Sequence, residues 1–190
     1  LEEYGDYFIQ YIKAHKEYFS SSSQEVWIRS NVLGYFEMIR EELFQQVHPI
    51  LQEKGEVDTE TTHSLLESII QGHHKELKAV ELVKDADVKF EKSVKAKYKA
   101  IYKERSDEVF QKLEIKRSLV AKLNDIATFL HTRSIDANGT SGIVISGFGD
   151  NEIYPSILTY EIEGVIDGRL KFRELPDKSY KVQSGNDCSI

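Results

Sequence analysis

Cysteine, proline and long apolar runs are scarce in this sequence, and each shortage excludes a class of protein. A single cysteine, Cys188, leaves no intrachain disulfide, which is typical of a protein kept in a reducing compartment. No apolar run approaches the roughly 18–20 residues that a membrane-spanning helix requires. The sequence therefore predicts a cytoplasmic protein with no membrane segment.

Positive charge is also in deficit, because 25 lysines and arginines stand against 32 aspartates and glutamates, a net charge of −7. General nucleic-acid binding needs a clustered positive field. One stretch, Lys89–Lys103, interleaves Phe90, Tyr98 and Tyr102 with lysines, a pattern that can contact RNA or an anionic surface. Acidic neighbours dilute its charge, so we interpret it as a solvated helix face and expect no nucleic-acid partner.

Helix-breaking residues are distributed unevenly along the chain. Only three prolines occur, Pro49, Pro155 and Pro176, and glycines concentrate after Asn138. This shift predicts a helical region over residues 1–137 and an antiparallel strand region over residues 138–190. Hydrophobic residues make up 40% of the chain, enough for a core, and the two regions together form one domain or part of one.

The helical region predicts about four helices. The first covers Glu2–Phe19, and in the second Pro49 is expected to bend or shorten the last turn. Asp58 or Thr59 caps the third helix by accepting amide hydrogen bonds. The second helix has the strongest apolar stripe, with steps of three and four residues: Val32, Phe36, Ile39, Leu43, Val47 and Ile50.

The stretch Asp85–Arg105 keeps a weaker helical spacing amid many lysines. Two structures fit this pattern: a solvated helix, or an extended and mobile connection. Ser106 is followed by two acidic residues, which is typical of a helix cap. We therefore expect the fourth helix to begin there, to carry Val109, and to end near Arg133.

The strand region begins with a strong turn signal at Asn138-Gly139. Asp167-Gly168 is a preferred pair for a two-residue hairpin turn. Antiparallel strands need a covering layer, so the fold class is α+β, with long amphipathic helices followed by an antiparallel β-meander. The predicted strands are Gly142–Gly147, Ile157–Ile166, a return strand carrying Leu170, Phe172 and Leu175, and two short strands at Tyr180–Val182 and Cys188–Ile190.

A metal or phosphate site is not indicated by the sequence. His73 and His74 are neighbours on a helix and point about 100° apart, so they share a metal poorly. Metal ligands on a helix favour a spacing of four, and Glu76 is only three residues from His73. The segment Gly147-Phe148-Gly149 lacks the third glycine of a dinucleotide loop, and a strand rather than a helix is predicted after it.

Catalytic side chains are equally hard to identify. Ser146 is not in a Gly-x-Ser-x-Gly elbow, because position 144 is valine. Asp150 and Glu152 lie in a loop after a strand, where binding groups often collect. Glu161 and Glu163 alternate on the polar face of a strand, and we expect all four carboxylates to be solvated. The sequence predicts no catalytic, cofactor-binding or metal-binding residue.

One segment resembles a known family. Ser141–Arg173 is similar to uncharacterised bacterial proteins that look like proteasome β-subunits, in the N-terminal-nucleophile hydrolase superfamily. The resemblance is carried by glycines and their neighbours: Gly142, Gly147-Phe148-Gly149, Glu152-Ile153, Pro155-Ser156, Glu163-Gly164 and Gly168.

The resemblance implies two antiparallel sheets between helical layers, with this chain as the middle part of that αββα sandwich. It also implies amide hydrolysis by an N-terminal Thr, Ser or Cys, with its α-amine or a nearby lysine as base. Leu1 cannot be that nucleophile. Both ends look cut, so we expect a fragment that is non-catalytic as given, whose sheet would expose an edge and an apolar face without a partner.

The competing hypothesis is a helical interaction or assembly module without enzymatic activity. Aromatic anchors dominate protein interfaces, and the predicted helices are rich in tyrosine. The partner would be another copy of the chain or a different protein. The tyrosines in question are Tyr4, Tyr7, Tyr11, Tyr18, Tyr35, Tyr98 and Tyr102.

Overall fold

The computed structural model describes residues 2–84, 86–113, 115–135, 140–148 and 154–181. It separates the chain into two compact units. The sheet unit contains residues 1–24 and 136–190, and the helical unit contains residues 25–135. The predicted Asn138-Gly139 turn, the loop residues Gly149, Asp150 and Glu152, and the terminal strand at Cys188 lie outside the described residues. The α+β class is confirmed.

The helical unit contains four long helices. They are α2 (Ser21–Lys54, which begins in the sheet unit), α3 (Thr59–Ala79), α4 (Val88–Phe110) and α5 (Arg117–Thr132). The predicted stripe of α2 is confirmed from Val32 to Leu43, where Val32, Phe36, Ile39 and Leu43 are buried, whereas Val47 and Ile50 are only half-buried. Pro49 lies inside α2, and the helix continues past it to Lys54, so the predicted shortening is wrong.

Two helices begin with an aspartate that caps the first turn. Asp58 caps α3, where its carboxylate accepts the Thr61 amide hydrogen bond at 2.7 Å. Asp87 caps α4 in the same way and accepts the Phe90 amide hydrogen bond at 2.7 Å. Each cap satisfies an amide that the first helical turn leaves without a backbone partner.

The lysine-rich stretch is the main departure from the predicted helices. Of the two structures that fit its pattern, the helix is present and the extended connection is not, because α4 runs without interruption from Val88 to Phe110. Ser106 is buried within α4, so its prediction as a cap is wrong, and Val109 lies in the last turn of α4 instead of in the first turn of the next helix. In the described part of the chain, five α-helices therefore replace the predicted four. The end near Arg133 is confirmed, since α5 stops at Thr132.

The sheet unit combines one helix with a small antiparallel sheet. Helix α1 (Glu2–Ala14) ends before the predicted Phe19, and a 3-10 turn follows at Lys16–Tyr18. The strands β1 (Ser141–Gly147), β2 (Ser156–Ile166) and β3 (Arg169–Glu174) pair in chain order, and β4 (Tyr180–Lys181) pairs with β2. The predicted hairpin turn between β2 and β3 is confirmed by positive φ at Asp167 (49°) and Gly168 (73°).

Strands β3 and β4 lie on the same side of β2. Strand β3 pairs with residues from Tyr160 to Ile166, and β4 pairs with Ser156 and Ile157, opposite the side that β1 occupies. A 3-10 turn at Pro176–Lys178 separates them. Thr159 bridges this break, since its carbonyl accepts the Leu175 amide at 2.8 Å and its amide donates to Ser179 Oγ at 2.9 Å.

The core of the sheet unit lies between α1 and one face of the sheet. Its centre is formed by Ile9 of α1 and by apolar side chains of β2 and β3: Leu158, Tyr160, Val165, Leu170 and Phe172. Gly5 is required for this packing, because a Cβ atom there would lie 2.3 Å from the Tyr160 hydroxyl. The covering layer that the strands require is thus supplied by α1 on this face.

Candidate functional site

The most unusual polar contact is a buried ion pair in the sheet. The register of β2 against β3 shifts between Ile162 and Gly164, so Glu163 is the additional residue of a β-bulge. Lys171 lies opposite Gly164 on β3, and its Nζ is 2.5 Å from Glu163 Oε2. Only 2% of the Lys171 side chain and 3% of the Glu163 side chain are exposed.

The environment of this pair acts against both charges. Burial raises the pKa of Glu163, and the nearby Glu161 carboxylate raises it further, while the Lys171 ammonium acts in the opposite direction. Burial likewise lowers the pKa of Lys171, against the effect of Glu163. Arg173 Nε donates to Glu161 at 2.8 Å and offsets part of that negative charge. Shifted pKa values of this kind occur in active sites and also in structural ion pairs.

The predicted solvation of the strand carboxylates is therefore wrong for Glu163. The bulge does not move Glu163 to the other face, because Glu161 pairs with Arg173 and Lys171 lies two residues before Arg173, so Glu161 and Glu163 share one face of the sheet. The prediction fails because that face is itself largely covered, with Thr159 and Ile166 also buried. Lys171 was not identified from the sequence at all. The only signal for it is a lysine between Leu170 and Phe172, two residues that the alternation predicts to be apolar and inward.

A second polar group connects α2 to α3. Tyr35 and Glu42 lie seven residues apart on α2, and both reach His73 of α3. The Tyr35 hydroxyl is 2.9 Å from His73 Nδ1, and Glu42 Oε2 is 2.9 Å from His73 Nε2. Burial is the main reason that the pKa of Tyr35 rises to about 12, and the carboxylates Glu76 and Glu42 add to it.

The chemistry available to Tyr35, His73 and Glu42 is limited by that pKa. A carboxylate beside Nε2 favours the tautomer with its proton on that nitrogen, and in this tautomer Nδ1 accepts a hydrogen bond from the Tyr35 hydroxyl. A histidine between a hydroxyl and a carboxylate is also the arrangement of general-base catalysis. A phenol that ionises near pH 12 is a poor nucleophile at neutral pH, so we interpret the group as a brace between two helices.

His74 makes a separate set of contacts. Its Nε2 is 3.3 Å from Asp125 Oδ2 of α5, and Lys95 Nζ of α4 is 2.5 Å from the other oxygen of the same carboxylate. The adjacent histidines thus contact different helices, as their angular separation on α3 requires. Within the described ranges, no group of three His, Cys, Asp or Glu residues could hold a metal ion.

The aromatic residues of the lysine-rich stretch are buried, although Lys97 Nζ lies 5.3 Å from the centroid of the Tyr98 ring. Phe90, Tyr98 and Tyr102 are 6%, 3% and 0% exposed, so all three belong to the core of the helical unit. Bases could not stack on rings that are packed inside a helical bundle. The stretch therefore offers lysines without aromatic platforms, and its spacing is explained by the buried face of α4.

The strongest exposed feature is a row of tyrosines on the sheet unit. Tyr4, Tyr7, Tyr11 and Tyr18, here called the tyrosine face, are 70%, 72%, 45% and 64% exposed. The opposite side of α1 carries Ile9 and packs on the sheet. Of the seven tyrosines predicted as anchors, only these four project outward. Tyr35, Tyr98 and Tyr102 are wholly or partly buried within the helical unit.

His15 joins the two halves of the tyrosine face. Its ring centroid is 4.0 Å from that of Tyr11, and it stacks on Tyr18 with centroids 5.4 Å apart. His15 Nδ1 is also 2.8 Å from the Tyr11 carbonyl oxygen, which fixes the ring against the helix end. A hydrogen bond with the Tyr11 hydroxyl raises the pKa of Tyr18. The end of the face is therefore an ordered aromatic stack.

Comparison of the chain with protein-family models, with curated proteins and with solved structures found no match in any of the three. Across the described residues, the helices are too polar or too short to cross a lipid bilayer. The glycine-ended strand β1 lies where the sequence predicted it, and Phe148 beyond it is 67% exposed. Gly149, Asp150 and Glu152 lie outside the described residues.

Proposed function

We propose that this protein is an interaction module, and that the tyrosine face of α1 is the surface on which a second copy of the chain docks. The observation that supports this proposal is the division of α1 into two faces. One face is fixed to the sheet by Ile9 and by the close approach of Gly5 to Tyr160. The other presents Tyr4, Tyr7 and their neighbours to solvent on a rigid support.

The area of the tyrosine face is sufficient for a weak dimer. A tyrosine buries about 150–250 Å² when it is fully covered, so four partly exposed rings offer on the order of 400–500 Å². A standard interface buries about 800 Å² on each partner. The tyrosine face would thus supply more than half of that area, and the surrounding polar residues would form the rim.

A second copy is the partner that the face fits best. Aromatic anchors tend to pair with aromatic anchors across an interface, and two copies related by a two-fold axis bring identical patches together. The His15 stack lowers the cost of association, because Tyr11 and Tyr18 are already held in place before a partner arrives.

Sedimentation velocity over a range of protein concentrations tests this proposal. The native chain is expected to self-associate, and a variant with Tyr4→Gln, Tyr7→Gln and Tyr11→Gln is expected to stay monomeric with unchanged circular dichroism. The matched control is Tyr154→Gln with Tyr180→Gln, since these tyrosines of the same unit are 42% and 41% exposed but lie off α1. A monomeric native chain, or equal weakening by the control, contradicts the proposal.

A second candidate function follows from the resemblance to proteasome-like N-terminal-nucleophile hydrolases. We propose it for the parent protein, with the nucleophile supplied by a segment before Leu1. Two positions that carry the resemblance have defined roles in the sheet: Glu163-Gly164 forms the bulge and Gly168 forms the positive-φ turn. These roles concern the backbone of an antiparallel sheet. They therefore support a related fold, and they give little support to amide hydrolysis.

The parent open reading frame tests the second candidate. A strand hairpin that begins with Thr, Ser or Cys before Leu1, and an amide hydrolysis that is lost when this residue becomes alanine, would support it. An unrelated upstream sequence, or hydrolysis that survives the substitution, would refute it. Neither result depends on the sedimentation experiment, so the two candidates fail separately.

A further inference from the structure

A cavity lies in the helical unit between α2, the start of α3 and the end of α4. Its volume is about 330 Å³, and its walls are mainly apolar, from Leu43, Phe44, Val47, Val109 and Leu113. Leu43 and Val109 are buried, whereas Phe44 is 54% exposed at the mouth. A ligand in this cavity would cover part of the Phe44 side chain that is now exposed.

Among the described residues that line the cavity, the polar groups are uncharged or positive. Arg40 and Lys112 lie at its edge together with Thr62 and Gln111, and no carboxylate is among its described lining residues. The charge of these lining residues is thus positive, whereas the whole chain carries a net charge of −7. Glu37 lies 3.9 Å from Arg40 on the same helix, and both side chains are over one-third exposed, so it neutralises Arg40 only weakly.

We propose that this cavity binds a small amphipathic carboxylate, with its apolar body between Leu43, Val47 and Val109 and its carboxylate at Arg40 and Lys112. This binding site is additional to the proposed docking role of α1. Arginine is suited to the carboxylate because its guanidinium presents two parallel N–H donors. Lys112 adds a second positive charge, and its ammonium group, unlike a guanidinium, does not fix the orientation of the carboxylate.

The size of the cavity sets the length of the ligand. Pockets for small molecules measure roughly 300–1,000 Å³, and this cavity is at the lower end of that range. A medium-chain fatty acid or an aromatic carboxylate would fit, whereas a long-chain lipid would leave much of its chain in water. A simple packing gap between helix ends would have the same apolar walls, but it would show no preference for the charge of a ligand.

Titration calorimetry with octanoate, octanol and octylammonium distinguishes these two interpretations. Octanoate is expected to bind more tightly than octanol, and octylammonium is expected to bind weakest. In the double variant Arg40→Gln with Lys112→Gln, octanoate affinity is expected to fall about threefold to tenfold, the range of two exposed charge contacts. Octanol affinity is expected to stay the same, and Lys92→Gln, at an exposed lysine of α4, serves as the control.

A cavity-filling variant keeps the proposal testable if the charge effects are small. Val47→Trp is expected to abolish octanoate binding while circular dichroism and the unfolding midpoint stay close to native. The proposal is overturned if octylammonium binds as well as octanoate, if the double charge variant binds octanoate with native affinity, or if folded Val47→Trp still binds it.

Discussion

The two units use the same residue type in opposite ways. In the helical unit, Tyr98 and Tyr102 of α4 are 3% and 0% exposed, and the Tyr102 ring stacks on His131 with centroids 6.0 Å apart. In the sheet unit, Tyr4 and Tyr7 of α1 are 70% and 72% exposed. Both helices have tyrosines at spacings of three or four residues. The difference shows that spacing selects a face of a helix, whereas the neighbouring elements decide whether that face is buried.

The charged residues of the two units differ as well. In the helical unit, the contact of His74 with Asp125 between α3 and α5 is partly exposed on both sides. The sheet unit instead buries Glu163 and Lys171 almost completely. Partly exposed pairs contribute little to stability, whereas a buried pair is costly to break. The predictions below test these contrasts.

The largest effect is expected at the core tyrosine. Tyr102→Ala removes a fully buried ring and should lower the free energy of unfolding by about 3–5 kcal/mol. Tyr7→Ala on the tyrosine face should change it by less than about 0.5 kcal/mol, because that ring is already in water. Urea unfolding of dilute protein measures both. Similar losses from the two substitutions would show that the tyrosines do not differ in burial.

A comparable loss is expected when the buried ion pair is broken. Lys171→Met leaves the Glu163 carboxylate buried without its cation and should cost about 3–5 kcal/mol in urea unfolding. Adding Glu163→Met should restore much of that loss, since a matched apolar pair avoids the uncompensated charge. As a control on a partly exposed pair, Lys95→Met at Asp125 should cost less than about 1 kcal/mol. If the Lys171→Met variant is as stable as the Lys95→Met control, Glu163 and Lys171 do not form a buried ion pair.

A smaller effect is expected where α1 meets the sheet. Gly5→Ala introduces a Cβ 2.3 Å from the Tyr160 hydroxyl and should cost about 1–3 kcal/mol through overpacking. Adding Tyr160→Phe should recover part of this loss by removing the hydroxyl. Gly34→Ala is the matched control: apart from its chain neighbours and the backbone of its own helix, no atom lies within 4 Å of the added Cβ, so the helix should gain about 0.5–1 kcal/mol. A gain at Gly5 would mean that α1 packs differently.

The smallest effect concerns pH. Because the folded-state pKa of Tyr35 is raised from 10.0 to about 12, the native state holds this proton more tightly than the unfolded chain. The stabilisation is complete below pH 10 and is lost as the pH rises through 12. The absorbance titration of the Tyr35→Phe variant is subtracted from that of the native chain. The difference should show one phenol ionising near pH 12. A difference spectrum that titrates near pH 10 would place Tyr35 in water.

Some of this architecture was predictable from the sequence because the signal was local. The stripe of α2, the cap at Asp58 and the Asp167-Gly168 turn each depend on residues a few positions apart. The start of α4 was not predicted, because Ser106 with its acidic neighbours has the same local pattern as a true cap. Tertiary packing decided between them: Ser106 is buried among core residues, while Asp87 caps the helix.

The candidate sites were less predictable, for a similar reason. An alternating strand pattern predicts one buried and one solvated face, but the second face of this sheet is also covered around Lys171, so a carboxylate assigned to solvent is buried. The tyrosine face was predicted in part, because the list of candidate anchors also contained tyrosines of the bundle. Arg40 and Lys112 lie more than 70 positions apart in sequence, so no local motif indicated their shared cavity.

Tyrosine nitration, mapped by mass spectrometry at increasing protein concentration, tests the central claim most directly. At low concentration, Tyr4, Tyr7 and Tyr18 should react fast, and Tyr98 and Tyr102 should react only on unfolding. At high concentration, protection should appear on the tyrosine face and not at Tyr154 or Tyr180. Reaction of the tyrosine face that is independent of concentration would contradict the docking role, and fast reaction of Tyr102 would contradict the division between the two units.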